Sequence, residues 1–438
     1  MASEEEVVSM VREQGIRWID LQFTDVLGHF RNVSLVADSI GTTELKKGVY
    51  TDLSPLFGEN SYLLPDPNTY AKIRWLRSTG RFIASLVDDK QRAREYDPRY
   101  SIEKAIKLSE LAGFGRIDIS PSICFNLLDT ASIDRTKPEK PGGVLFDSRE
   151  AAWSPSPLAT PENAYMCSQP YDSFATIREE TSDVLEADMR FRVMSHHHGA
   201  GNTGAQRLNL APMTLLDAGD AIQSCKFIIR NIATAAGLTA SFLAQPVPSD
   251  KLSNFILGIS IWKGSENAFF ESSGELSDKA LYFAGGLIEH AEVLSLFASP
   301  SPNSYKAFSS MYAGFGNGCS VDFAAPGNRP DSSVVLFRGT DGTANPYLAI
   351  SAVIAAGIDG MKKKREPNEY ASSLEDVKKH GLRRMTSSFE YSLEAFESDN
   401  SFVKSVLEPA LLDIYLKEYA VIHRKARANA GMDYSTGL

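Results

Sequence analysis

The spacing of apolar residues changes period several times along the chain. Glu4 to Glu13 reads as a helix, and Ile16-Arg17-Trp18-Ile19-Asp20-Leu21-Gln22-Phe23 then alternates as a half-buried strand does. Leu27-Gly28-His29 separates it from a second alternating run, Arg31 to Val36. This predicts a β-hairpin in which Gly28 supplies the turn's unusual backbone angles. Apolar segments around Ile73-Arg74-Trp75 and Phe82 to Val87 complete a small mixed sheet.

The polar stretch from Asp88 to Arg99 reads as a connection, with a domain boundary near Tyr96. Ser101-Ile102-Glu103 then opens a periodic helix that ends near Gly113. Helices are predicted over Ile177 to Ala187, Asp217 to Ala236 and Pro346 to Met361, with strand-like pieces at Ser241 to Leu243 and Phe255 to Trp262 between them. The stretch from Ser387 to Ile422 is helical again. Together these elements predict an α+β fold.

Composition narrows the function classes. With 438 residues, 43% of them hydrophobic, the chain can bury a large core and hold two or three domains. Its 45 basic and 55 acidic side chains, formally -10, argue against nucleic acid or an anionic membrane as partner. The four cysteines, Cys124, Cys167, Cys225 and Cys319, form no CxxC pair, so neither a zinc ribbon nor a disulfide framework is expected and a reducing cytoplasm fits best. The acidic opening Met1 to Glu6 lacks the order of a signal peptide, and no apolar run reaches transmembrane length.

Several motifs fall in one order: Ile19 to Gly28, Leu64-Pro65-Asp66-Pro67, Asp97-Pro98-Arg99-Tyr100, Ser195-His196-His197, Asn303-Ser304-Tyr305-Lys306 and Ala344 to Ala349. In that order, and at close to that spacing, they resemble the type I glutamine synthetase family, and the resemblance runs to about Arg384. It implies an N-terminal β-grasp domain over residues 1–96. A glutamine synthetase/guanido-kinase-like catalytic domain with a helical C-terminal region would span 97–438. It also implies a homo-oligomer of hexameric rings, two of which stack in a dodecamer, with each active site between neighbouring subunits. Asp52 occupies the place of the aspartate lent to the neighbour, although a turn-forming role suits it equally.

The reaction implied by the resemblance joins ammonia to the side chain of glutamate through an acyl phosphate made from ATP. Such chemistry needs magnesium or manganese to neutralise phosphates and carboxylates, and those hard cations need oxygen ligands. Carried onto this chain, the family's ligand positions fall on Ser122, Cys124, His198, Gln206, Ile256 and Leu336. None of these is a carboxylate. The asparagine-glycine pair that meets glutamate corresponds to Lys251-Leu252, a flap arginine to Ala307, and the glutamate that closes over the intermediate to Ala313. Asn328, Arg329 and Arg338 match phosphate- or substrate-contacting positions.

Two readings follow. The first is a pseudoenzyme without metal or nucleotide cofactor, acting as an oligomeric scaffold or as a regulatory partner of an active glutamine synthetase. The second is an active ligase, or another enzyme of the superfamily, with altered substrate or metal. In that case Cys124 with His196, His197, His198 and Gln206 would converge on a softer ion, held chiefly by Cys124 and His198, or form a Cys-His pair. A plainer alternative makes Cys124 a small buried hydrophobe and His198 a hydrogen-bonded barrel residue.

Overall fold

The computed structural model describes residues 3–133, 144–156, 164–248, 250–271, 273, 275–325, 329, 332–386 and 388–428. The first helix, Glu4–Glu13, starts where Ser3 and Glu6 cap each other: the Glu6 amide donates to Ser3 Oγ at 3.2 Å and the Ser3 amide to Glu6 at 2.7 Å. It leads into six strands: β1 (Trp18–Thr24), β2 (Phe30–Val36), β3 (Val49–Thr51), β4 (Ser61–Pro65), β5 (Ala71–Lys72) and β6 (Thr79–Val87). Their order is β2-β1-β6-β4-β3, with β5 also on β6; β1 runs antiparallel to β2 and parallel to β6. Alternation buries Ile19, Leu21 and Phe23 against Val7, Phe82 and Leu86.

The predicted hairpin is present, and its turn has a second job. Gly28 has φ +87°, and a Cβ there would lie 2.9 Å from the Asn345 Cα. The turn therefore packs on the loop before helix Pro346–Lys363, where the Asn345 side chain donates to the Asp25 and Val26 carbonyls at 3.0 and 3.2 Å. Ile73 to Trp75 is a turn rather than a strand. The Ile73 amide already bonds Thr79 across a tight reversal, and Trp75 leaves the sheet to pack on Phe227.

Ten strands of the second part form one sheet, and two more form a hairpin, β8 (Thr130–Ile133) with β9 (Val144–Asp147). The sheet's main path uses β7 (Arg116–Leu128), β10 (Val193–His198) and β11 (Ala205–Leu210). Short β12 (Met213–Thr214) and β13 (Thr239–Ser241) pair with β7; β14 (Asn254–Lys263) follows, with β15 (Glu266–Asn267) beside it. The last three are β16 (Tyr312–Phe315), β17 (Cys319–Ala324) and β18 (Val334–Asp341), giving the order β10-β11-β7-β14-β18-β17-β16. One face carries Ile119, Ile123, Phe125, Leu208, Leu257, Ile259, Val335 and Phe337. All are buried in a core shared with helices Ala175–Ala187, Leu215–Ala235 and Pro346–Lys363. The architecture is a mixed α+β fold.

Arg99 ties the first sheet to the helices of the second part. Its guanidinium bonds Asp220 at 2.8 Å, Asp66 at 2.7 Å and Ser85 at 3.0 Å, and Tyr347 donates to the same Asp220 at 2.7 Å. A buried cation this fully paired is tolerated, whereas removing one partner would strand a charge.

Candidate functional site

The opposite face of the large sheet is polar and partly open, and pairing fixes what stands on it. Cys124 pairs with Arg207, Ser122 with Asn209, and Arg207 with His197. On the other side of β7, Ile256 pairs with Ser122, Gly258 with Ser120 and with Leu336, and Leu336 with Asp322. Paired residues project to the same side of a sheet. Ser122, Cys124, Asn209, Arg207, His197, Ile256, Leu336 and Asp322 therefore share this face, and Arg338 joins them two residues beyond Leu336.

Two guanidinium groups dominate its electrostatics. Arg207 Nε donates to Cys124 Sγ at 3.1 Å and has no carboxylate ion pair among the described residues. Arg338 pairs with Asp322 at 2.8 Å, and the Tyr370 hydroxyl donates to the same aspartate at 3.0 Å. His197 holds its Nδ1 2.8 Å from the His198 carbonyl. A carbonyl only accepts, so Nδ1 carries the proton and Nε2 keeps a lone pair. Burial pushes the His197 imidazole below its ordinary value, and Arg207 adds to this against the His198 hydrogen bond.

His198 and Gln206 do not stand on this face. They pair with each other, and Gln206 pairs with Phe125, which turns both toward the core. Glu150 lies fully buried there. It receives the Ser173 amide and hydroxyl at 2.7 and 2.8 Å, His198 Nε2 at 3.1 Å and Gln206 Nε2 at 3.4 Å. Arg178 bonds Asp172 at 2.6 and 2.9 Å, His196 at 3.3 Å, and Gln206. This network satisfies its own charges and holds the start of helix Ala175–Ala187 to β10 and β11.

The convergence of Cys124 with His198 that the second reading requires does not occur. They lie on opposite faces because the register places Arg207, not Gln206, beside Cys124. Sequence did carry the signal: Leu208 and Leu210 are inward residues, so period two sends Gln206 inward and Arg207 and Asn209 outward. Gly204 sets this register. Its φ is +60°, a Cβ would lie 2.1 Å from the Leu127 carbonyl oxygen, and its own carbonyl accepts the Leu127 amide at 2.8 Å. Glu150, Arg178 and Asp322 carry no local signal of their roles, because their partners lie on other elements.

The remaining expected residues are dispersed. Asp52 is exposed and accepts from the Ser54 amide and hydroxyl at 3.1 and 2.7 Å, a turn geometry. Ala313 is buried in β16, where its amide donates to the Arg383 carbonyl at 2.9 Å. Arg329 is exposed, and Asn328 lies outside the described residues. Among the described residues no group of three or more His, Cys, Asp or Glu side chains is placed to hold a metal ion. The donors on the polar face do not fit a magnesium site. A dication about 5 Å from a guanidinium is repelled by roughly 7 kcal/mol at an effective dielectric near 20.

Residues 95–425 match the family model described as glutamine synthetase, catalytic domain. The chain is 28% identical to the glutamine synthetase of Sulfolobus acidocaldarius, over 94% of this chain and 93% of that protein. It is 29% identical to that of Mycolicibacterium smegmatis, over 83% and 82%. Among solved structures, a GmaS/ADP complex superposes with TM-score 0.80 at 21% identity over 97% of both chains. A Plasmodium falciparum glutamine synthetase superposes with TM-score 0.84 at 18% identity, over 99% of this chain and 98% of that one. The expectation of an inactive scaffold is corrected by these relatives, which are named for the ligase and align across nearly the whole chain.

Proposed function

This chain belongs to the glutamine synthetase catalytic-domain family, and from that premise we propose that it is an active ATP-dependent ligase with altered substrate and metal handling. The observation that carries the reading is the pair of guanidinium groups, Arg207 and Arg338, on the polar face beside a histidine that keeps a free lone pair. Carboxylate activation by a nucleotide needs positive charge where phosphate oxygens gather, and a fixed guanidinium supplies it with directional donors. Arg207 is the more available of the two, since Asp322 already engages Arg338. Asn209, paired beside Ser122, adds a neutral donor and acceptor for orienting a substrate.

His197 suits proton transfer. Its pKa is lowered, so the imidazole is neutral at physiological pH, and Nε2 can take a proton from an attacking amine. The side chain is half-buried against the Tyr165 ring, 5.2 Å away between centroids, which limits its rotation.

The finer architecture belongs to the same proposal. The N-terminal sheet is read as a β-grasp domain ending at residue 96, supported by its separate apolar core from Val7 to Tyr96. Homo-oligomerisation in rings is supported by the exposure of Tyr50 and Asp52 at that sheet's end, where a neighbouring subunit would complete the polar face.

The test supplies ATP with glutamate and other amino acids bearing a second carboxylate, each with ammonium or a primary amine, and measures phosphate release and amide product. Turnover that requires the amine is expected, and Arg207→Met should lower kcat/KM at least a hundredfold, about 2.7 kcal/mol of transition-state stabilisation. Absence of turnover with every pair, or turnover untouched in Arg207→Met, would refute the reading.

A further inference from the structure

Behind the large sheet, away from the polar face, a cavity of about 340 Å³ opens between the β1–β2 turn and helices Leu215–Ala235 and Pro409–Ala428. His29, Phe30, Lys226, Phe227, Arg230 and Tyr419 line it. Lys226 is only 5% exposed, yet no hydrogen bond or ion pair among the described residues reaches its ammonium group. The Nε of Arg230 is buried without a partner as well, while its guanidinium stacks 4.8 Å from the Phe242 ring centroid.

Uncompensated buried cations are costly, so what neutralises them needs an answer. Neither of the two carboxylates near Lys226, Asp25 and Asp341, forms an ion pair with it. Asp25 bonds His29 at 3.1 Å and Arg31 at 2.7 Å. Asp341 directs Oδ1 to Thr343 at 2.6 and 2.8 Å, while its buried Oδ2 accepts no hydrogen bond and lies outside ion-pair distance of Lys226. We propose that this cavity is a binding site for a small organic anion, a carboxylate or phosphate head on Lys226 and Arg230 with an apolar body against Phe30 and Phe227.

Size and lining agree with that ligand class. The volume lies at the lower end of small-molecule sites, and such sites are mostly apolar walls with a few convergent polar groups. Burial, with Arg230 nearby, pushes the Lys226 ammonium down to about 7 against the opposing charges of Asp341 and Asp25. The site is separate from Arg207 and Arg338, so its fate does not depend on the proposed ligase activity.

Phenyl phosphate and benzoate serve as probes, with benzyl alcohol as the neutral analogue, titrated calorimetrically into the full chain. At least one anion is expected to bind saturably at or below about 1 mM, and benzyl alcohol at least tenfold more weakly, a difference of about 1.4 kcal/mol. Lys226→Met and Arg230→Gln should each weaken the anion at least tenfold, while Arg207→Met leaves it unchanged. Should Lys226→Met fail to fold, Arg230→Gln alone carries the test. No saturable binding of either anion by the unaltered protein would overturn the proposal. So would affinity that survives Arg230→Gln, or affinity lost in Arg207→Met, which would move the anion to the polar face.

Discussion

Replacing Glu150 by alanine should destabilise the protein more than any substitution on the polar face. The carboxylate is fully buried and satisfies four donors: the Ser173 amide and hydroxyl, His198 Nε2 and Gln206 Nε2. Alanine orphans all of them and leaves a cavity, a loss of about 3–5 kcal/mol. Unfolding entropy of about 2.1 cal/mol/K per residue, over 438 residues, converts this to a fall of about 3–5 °C in melting temperature if the chain unfolds as one unit.

The pH dependence separates charge from packing. Burial alone would push the His198 imidazole down, but the Glu150 hydrogen bond and charge, with Asp172 further off, leave it raised. A raised folded pKa contributes stability that is fully present below the unfolded value near 6.5 and is lost as pH rises through the folded value. Glu150→Gln keeps an acceptor for Ser173 and removes the charge. Its destabilisation relative to the unaltered protein should therefore be larger at pH 5.5 than at pH 8.5. Urea denaturation at the two pH values measures this. A difference that does not change with pH, or a Glu150→Ala protein that melts within a degree of the unaltered one, would refute the assignment.

The register on the polar face predicts a gain of function: S122E/C124E/R207E should bind manganese, followed by electron paramagnetic resonance, at least tenfold more tightly than S122E/C124E/Q206E, whose third carboxylate points into the core. Gly204→Ala meets both a positive φ and the Leu127 carbonyl, so it should cost about 3 kcal/mol or more, seen as a lower urea midpoint. His197→Ala should lower kcat about a hundredfold or more in the assay above. In the unaltered enzyme the acid limb should lie below pH 6.5, because a base with a lowered pKa stays neutral to lower pH.

Much of the fold was legible because its signals are local. The first helix has the bounds its pattern gave, Glu4–Glu13, and helices at Ala175–Ala187, Leu215–Ala235 and Pro346–Lys363 begin and end within two residues of expectation. Turn chemistry placed the hairpin at Gly28, and alternation put Ser122 and Cys124 on one face. Ile73 to Trp75 misled because an apolar run also suits a buried turn.

Sequence by itself therefore pointed to the family, the α+β class, the first hairpin and the main helices; the strand read as half-buried, Trp18–Thr24, is buried on both sides, since Asp20, Gln22 and Thr24 are covered as well. Only the tertiary structure decided which residue pairs with Cys124, that Glu150 crosses the chain to hold His198, and that Lys226 is buried with no ion pair among the described residues. Helices and turns follow from interactions between residues a few positions apart. Strand register and burial arise from pairings tens to hundreds of residues apart, where one residue of slip sends a side chain to the opposite face.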